Sequence, residues 1–434
     1  MRDLLVTFLI LAPLPAILVR PAWGVLMWVW VSVMNPHRLA YGFAYGMPFA
    51  AIVGGATLIG LVFTKDRRRL PLTPVTVTLM LFVLWICISS LFAIHPETSR
   101  YMWLEVMKIL VMVFVAMTVL HSRAHMRYLV WVLVISLGFY GVKGGIFTLA
   151  TAGNYIVWGP PGSFIEGNNE LALALIMTIP LMRLLQIEMQ RAWQRWAMTG
   201  AMLLTALAAI GSHSRGGFLA IIVMALFFWL IGQRKWILGP VLIAVGAGII
   251  AFMPPEWMAR IDTISTYQQD ASAMGRINAW HMAYNLARAH GFGGGFDIYT
   301  PDVFAAYAPV PTDVHAAHSI YFQVLGEHGF VGLALYVLLW FLTWRGASWV
   351  NRESRRLPDA QWICNLCMMI QVSLVGYAVG GAFLSLAYFD LPYYLLVLVV
   401  ISKVWVRDAL AVQSRDANVR ATTRSRVAEL ETAQ

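Results

Sequence analysis

Apolar runs near 18–20 residues recur along the whole chain, separated by short polar turns. Each run is long enough to cross a bilayer as a helix, since about 20 apolar residues span a hydrocarbon core of about 30 Å. Candidate spans cover approximately 2–19, 22–34, 43–63, 74–93, 103–120, 128–150, 171–186, 197–211, 217–233, 236–253, 318–343, 362–386 and 390–406. The first two are short, and they read either as two crossings or as one crossing with a partly inserted piece. The expected fold is all-α: a polytopic integral membrane protein of about 12 transmembrane helices.

Composition agrees with the pattern. Of 434 residues, 60% are hydrophobic and 12% charged, with a mean hydropathy of +0.70. A soluble protein carries roughly twice that charge. The first apolar run leads straight into a second, so no cleavable signal peptide is expected. Residues 1–412 read as one transmembrane catalytic domain and 413–434 as a polar cytoplasmic tail. Cys364 and Cys367 form a C-x-x-C, but its flanks are apolar and no second ligand pair is near, so these and Cys87 read as small core residues.

The net charge of +10 bears on sidedness rather than on nucleic acid, which is not an expected partner. Lys and Arg mark cytoplasmic loops. Five basic connections, at 64–69, 121–127, 191–195, 233–235 and 345–356, fall on alternate loops together with the tail. The opposite loops are 35–42, 94–102, 151–170, 212–216, 254–317 and 387–389, and they carry Arg215, Arg260, Arg276 and Arg288. Arginines where the charge rule predicts few need another reason. The loop at 254–317 is too long for a simple connector and reads as functional.

Three segments of that face supply candidate chemistry. In GSHSRGGFLA (211–220), Arg215 sits between two apolar runs ahead of Gly216 and Gly217. It reads either as an interfacial anchor or as an anion contact beside an approachable backbone. In GRINAWHMAYNLARAHGFGGGF (275–296), Ile277, Trp280, Ala283, Tyr284 and Ala287 follow helical spacing, which predicts an amphipathic interfacial helix stopped by the glycines. Arg276 is expected at its N-terminal end, where backbone N–H groups favour anions; Arg288 is expected on another face, as a solvated or headgroup contact. In HAAHSIYFQVLGEHGFVG (315–332), a helix beginning near His318 would align Phe322, Leu325, Gly329 and Gly332 along one stripe. The glycines would admit a neighbouring helix and hold His318 facing the bundle interior. Glu327 and His328 lie deeper, and Glu327 reads first as structural glue.

Arginines and a histidine at one membrane face suit a lipid-linked diphosphate, because guanidinium groups stay charged and match phosphate geometry. Many glycosyltransferases neutralise the departing diphosphate with a metal held by D-x-D. This chain has no D-x-D, and Asp262, Asp270, Asp297, Asp302 and Asp313 are scattered. Arginines would take the metal's place, and a neutral His318 would accept the proton of an attacking hydroxyl. No metal or other cofactor is expected.

The pattern His318-Ser319, nine residues, then Gly329-x-x-Gly332 resembles the signature of bacterial O-antigen ligases. SRGG (214–217), GRINAW with the glycines at 291–295, and GNNELALAL (167–175) resemble further segments of the O-antigen ligase and polymerase superfamily. The resemblance covers residues 150–400. WVWVSVMNPHRLAYG (28–42) is similar to the branch of exosortase-associated O-glycosylation ligases. The resemblance implies a metal-independent, GT-C-like membrane glycosyltransferase in the bacterial inner membrane, with its site and long loop in the periplasm. The donor would be an undecaprenyl-diphosphate-linked glycan and the acceptor a sugar hydroxyl of lipid A–core, or a Ser or Thr of an exported protein. Carried onto this chain, His318 would be the base and Arg215 and Arg276 would bind diphosphate; Arg288 is a further candidate for the diphosphate, and His315 a second contact that the family pattern does not demand. Transport of polyprenyl glycan and a noncatalytic scaffold are the rival classes. A transporter would more naturally show two related halves with broken helices, and no such symmetry is present.

Overall fold

The computed structural model describes residues 1–232, 235–262 and 271–432, without the side chains of residues 231, 259–262 and 417–432. Arg260, Asp262 and Asp270, and part of the basic turn at 233–235, therefore fall outside the described groups. Among the described residues the chain is helical throughout. In order come α1 (Arg2–Leu11), α2 (Leu14–Val19), α3 (Pro21–Met34), α4 (Phe49–Phe63), α5 (Pro74–Leu91), α6 (Pro96–Val119), α7 (Arg123–Ala150), α8 (Asn168–Glu188) and α9 (Ala192–Gly211). They continue with α10 (Arg215–Ile231), α11 (Lys235–Phe252), α12 (Pro255–Asp262), α13 (Ala271–Ala289), α14 (Pro301–Tyr307), α15 (Ile320–Ser354), α16 (Gln361–Gly380) and α17 (Asp390–Thr432).

Among the described residues, eight helical segments are long and apolar enough to cross a membrane, and three shorter apolar helices stand beside them: Pro21–Met34, Phe49–Phe63 and Arg215–Leu230. α9 and the first half of α17 pack into the same array. This is a polytopic membrane protein. Large apolar side chains such as Leu81, Leu84, Ile243 and Phe341 stay exposed on the bundle surface, where hydrocarbon rather than water is the favourable neighbour.

Local sequence sets the helix starts. Thr73 caps α5 by accepting from the Thr76 N–H, with Pro74 in the first turn; Ser122 caps α7 through His125 N–H; Ser214 caps α10 through Gly217 N–H. Each side-chain oxygen satisfies one of the four N–H groups that a helix start leaves open. The span expected at 43–63 begins only at Phe49, because a short 3-10 turn, Phe43–Gly46, occupies its first residues.

The two sets of turns lie at opposite ends of the bundle. At one end the basic turns touch each other and α17: Arg68 reaches Asp408 at 3.7 Å, His121 reaches Asp66 at 3.5 Å, and Arg123 lies over the Trp405 ring. At the other end, Asn168 Nδ2 donates to the Ser212 carbonyl at 2.7 Å, and the Ile94 N–H donates to the Gly294 carbonyl at 2.8 Å. Charge periodicity alone placed those loops on separate sides.

Two expected helices differ in detail. α15 starts at Ile320, not at His318, and is broken at Gly329, whose φ of 67° and ψ of −172° are non-helical. The predicted continuous stripe from His318 through Gly329 therefore does not exist. What approaches Gly329 is the glycine loop, not a helix: a Cβ there would lie 2.4 Å from the Gly291 carbonyl oxygen. The Gly294 and Gly295 N–H groups donate to the Gly326 and Glu327 carbonyls, each at 2.9 Å. The loop thus satisfies carbonyls that the break would otherwise orphan. Close helix approach falls instead to Gly326, opposite Ala283, and to Gly332, opposite Trp85.

α13 is the second difference. It begins at least five residues before Arg276, so Arg276 lies beyond the first turn, where the open N–H groups are. The anion preference expected from that helix end does not apply to it. Its buried stripe is Gly275, Asn278, Ala279, Met282, Ala283, Leu286 and Ala287, rotated from the predicted one, and Tyr284 is exposed. The reason is that α13 packs on α15 and α14, closing a small core with Ile298, Val303 and Phe304.

Candidate active site

His318 precedes α15 by two residues with a left-handed φ of 43°, a conformation that costs a non-glycine residue of order 1–3 kcal/mol. The neighbours fix it there. On one side the Trp280 Nε1–H donates to the Ala317 carbonyl at 2.7 Å, and the Trp280 ring stacks on Phe322 with centroids 5.0 Å apart. On the other, Ser319 is buried in the position just before the helix, without a side-chain capping bond, and Ile320 packs against Gly381 at the end of α16.

The segment before His318 is stapled to α13. Asn278 Nδ2 donates to the Val310 and Asp313 carbonyls at 2.8 and 2.9 Å, and its Oδ1 accepts from the Val310 N–H at 2.9 Å. His315 lies flat against Gly275, where a Cβ would sit 2.8 Å from the ring, and its Nδ1 reaches Asp313 Oδ1 at 3.0 Å. That places Arg276 beside both histidines. Burial, then the Arg276 guanidinium, then His315 push His318 down to about 4, from an ordinary value of 6.5. At neutral pH the imidazole is uncharged and able to accept a proton.

Glu170, which the sequence reading did not single out, faces this histidine. Its Oε1 is 4.0 Å from His318 Nδ1, with the two side chains 17% and 34% exposed. Arg276 lies within electrostatic reach of Glu170 as well. The only sequence signal was Glu170's place in GNNELALAL, three residues into a helix start on the Arg-bearing face.

Arg215 is the first residue of α10, at the same end of the bundle. Gly217 meets Ala172 of α8 and Gly216 meets Phe383, just after α16, so a Cβ at either would lie about 3 Å from its neighbour. Arg288 stands apart. It is exposed in the last turn of α13 and lies over the Tyr284 ring, about 18 Å along the helix axis from Arg276 at 1.5 Å per residue. The structure thus brings together His318, His315, Arg276 and Glu170, sets Arg215 on an adjoining helix start, and leaves Arg288 outside.

Beneath the site, Gly329 and Gly332 shape the break in α15. Tyr388 Oη donates to Glu327 Oε2 at 2.6 Å, Gln323 Nε2 reaches Glu327 Oε1 at 3.4 Å, and His328 Nδ1 pairs with Ser89 Oγ at 2.7 Å. These bonds tie α15 to α5 and to the turn before α17. The NPHR stretch also lands at this end: Arg38 lies over the Tyr45 ring and against Gly162, in the loop leading to α8. Among the described residues no three His, Cys, Asp or Glu side chains gather as a metal site. Cys364 is buried with its Sγ 3.1 Å from Asn351 Oδ1.

Comparison with known proteins matches two separate parts of the chain. Residues 1–190 match a family of unknown function, and residues 200–337, which hold Arg215, Arg276 and His318, match the family described as O-antigen ligase. No curated protein is significantly similar to the chain. Residues 200–337 thus form a segment of the O-antigen ligase superfamily within this chain.

Proposed function

We propose that the chain is a metal-independent glycosyltransferase that moves a finished glycan from undecaprenyl diphosphate to a sugar hydroxyl of lipid A–core, on the periplasmic side of the inner membrane. The observation that carries this reading is the placement of His318 beside Arg276 and Glu170 at one end of the bundle, where burial and the guanidinium disfavour its charged form. His318 takes the proton of the acceptor hydroxyl, whose oxygen then attacks the anomeric carbon. The bond from that carbon to the diphosphate oxygen breaks, and its electron pair leaves with the lipid diphosphate. Arg276 and Arg215 neutralise the departing charge, which grows in the transition state and is therefore where a fixed cation lowers the barrier most.

The test combines purified protein, undecaprenyl-diphosphate glycan and a chelator with lipid A–core, with an exported protein, or with no acceptor. Chelator-resistant transfer to lipid A–core is expected, falling by roughly 10²–10⁴-fold in His318→Ala. A strict divalent-metal requirement, or full activity in His318→Ala, overturns the reading. Transfer to the protein alone, or lengthening of the lipid-linked glycan without acceptor, replaces the ligase with the protein-glycosylating or polymerising member of the superfamily. Uptake of the glycan into sealed vesicles that survives His318→Ala would mark a transporter.

A further inference from the structure

Glu170 neither takes the hydroxyl proton nor binds the diphosphate, yet it is the carboxylate that the imidazole faces. It is the third residue of α8, where burial disfavours its negative charge while the helix N-terminus and Arg276 favour it. Its side chain folds back over the preceding turn, so that a Cβ on Gly167 would lie 2.0 Å from Oε2. A side chain at 167 would expel it, which gives that glycine a reason to be there. One oxygen is thus committed to the helix start, and the other, Oε1, is left 4.0 Å from His318 Nδ1. That ring nitrogen is buried and has no hydrogen-bond partner among the described residues. An unsatisfied polar atom in a buried setting costs free energy until it is paired, and the atom within reach is a carboxylate oxygen.

We propose that Glu170 is the positioning residue of the transfer reaction: it accepts a hydrogen bond from His318 Nδ1–H, which fixes the imidazole in the tautomer whose Nε2 lone pair faces the acceptor hydroxyl. The inference rests on the reading of His318 as the base. The gap of 4.0 Å exceeds a hydrogen bond by about 1 Å, and such bonds between catalytic groups tighten when substrate closes the site. In the step itself, the hydroxyl proton passes to Nε2 and the imidazole becomes an imidazolium. Nδ1–H stays on the ring throughout, and its positive charge is opposed by the Glu170 carboxylate. The Nε2 proton afterwards leaves to solvent, which restores the starting tautomer. A histidine with no such partner would divide between two tautomers, only one of which presents a base to the substrate.

Two measurements test this on the full-length protein in lipid nanodiscs. In the first, ¹⁵N shifts of labelled histidine, with the His318 signal identified by its loss in His318→Ala, report which ring nitrogen carries the proton. The wild type is expected to hold the Nδ1–H form at neutral pH, and Glu170→Ala to shift the population toward Nε2–H. An unchanged tautomer in Glu170→Ala overturns the proposal whether or not transfer activity is present. In the second, Glu170→Ala is expected to lower kcat by roughly 10²-fold with the donor KM nearly constant. Glu170→Gln is expected to fall between, since its amide oxygen still accepts from Nδ1–H but carries no charge. A raised donor KM with kcat unchanged would show that Glu170 serves Arg276 instead, and would overturn the proposal. Wild-type rates in Glu170→Ala beside an inactive His318→Ala overturn this inference alone, whereas an active His318→Ala overturns the reading beneath it.

Discussion

At the scale of single residues, the site is governed by what burial, Arg276 and His315 do to one imidazole. His318 is held at about 4, first by burial, then by Arg276 and by His315. A base must be unprotonated to work, and kcat/KM reports the free enzyme. The acid limb of kcat/KM for the wild type is therefore expected well below 6.5. Replacing Arg276 by Gln removes a nearby positive charge that disfavours the imidazolium, so the His318 pKa rises and the limb moves to higher pH. Arg276→Lys keeps the charge and should leave the limb near its original position, while losing the forked geometry that suits phosphate. A limb that stays put in Arg276→Gln would mean that Arg276 does not act on His318. Arginine substitutions should also divide by place. Arg215→Ala and Arg276→Ala each lose charge-assisted bonds worth about 1.5–3 kcal/mol, or roughly 10–150-fold in transfer. Arg288→Ala, exposed over Tyr284, should change transfer by less than about threefold, by the small worth of exposed charge contacts. Equal losses in all three would place Arg288 in the diphosphate site after all.

At the scale of elements, the break in α15 separates what the sequence shows from what it hides. Gly329 occupies a region of backbone space open essentially to glycine alone, and a Cβ there would overlap the Gly291 carbonyl oxygen at 2.4 Å. Gly329→Ala is thus expected to destabilise by at least about 1–3 kcal/mol, lowering the thermal midpoint in detergent, whereas Gly291→Ala, which has open space around it, should not. A midpoint unchanged in Gly329→Ala would show the segment to be an ordinary helix. Hydropathy found the spans, because twenty apolar residues mean the same thing in any context. It read Gly329 as a helix-packing glycine, because a period of 3.6 assumes that the helix continues. The hydrogen bonds that compensate the break come from Gly294 and Gly295, more than thirty residues earlier, and no local pattern announces such a pairing. The same limit hid Glu170. GNNELALAL was visible as a segment, but the approach of its glutamate to His318 joins two helix starts far apart in the chain, and only the packing of α8 and α15 against α16 brings it about.

At the scale of the whole molecule, the two ends of the bundle differ in chemistry. One end gathers Arg68, His121, Arg123 and their acidic partners against α17. The other carries the histidines, Glu170 and Arg276 beneath α13. Lys and Arg are retained on the cytoplasmic side during insertion, so the first end should face the cytoplasm and the second the periplasm. A lipid-linked glycan finished outside the cytoplasm could reach the site only in that orientation. Lys65 and Thr98 are both exposed, one at each end, and suit single-cysteine labelling in a background without Cys87, Cys364 and Cys367. In intact cells with a permeable outer membrane, a membrane-impermeant maleimide is expected to label Thr98→Cys and to spare Lys65→Cys. In sealed inverted vesicles the pattern should reverse. If Lys65→Cys were instead the one labelled from outside, the arginines and His318 would stand in the cytoplasm, where the charge rule needs no special explanation for them. The case for a periplasmic transfer site would then fail, even if His318 still proved essential.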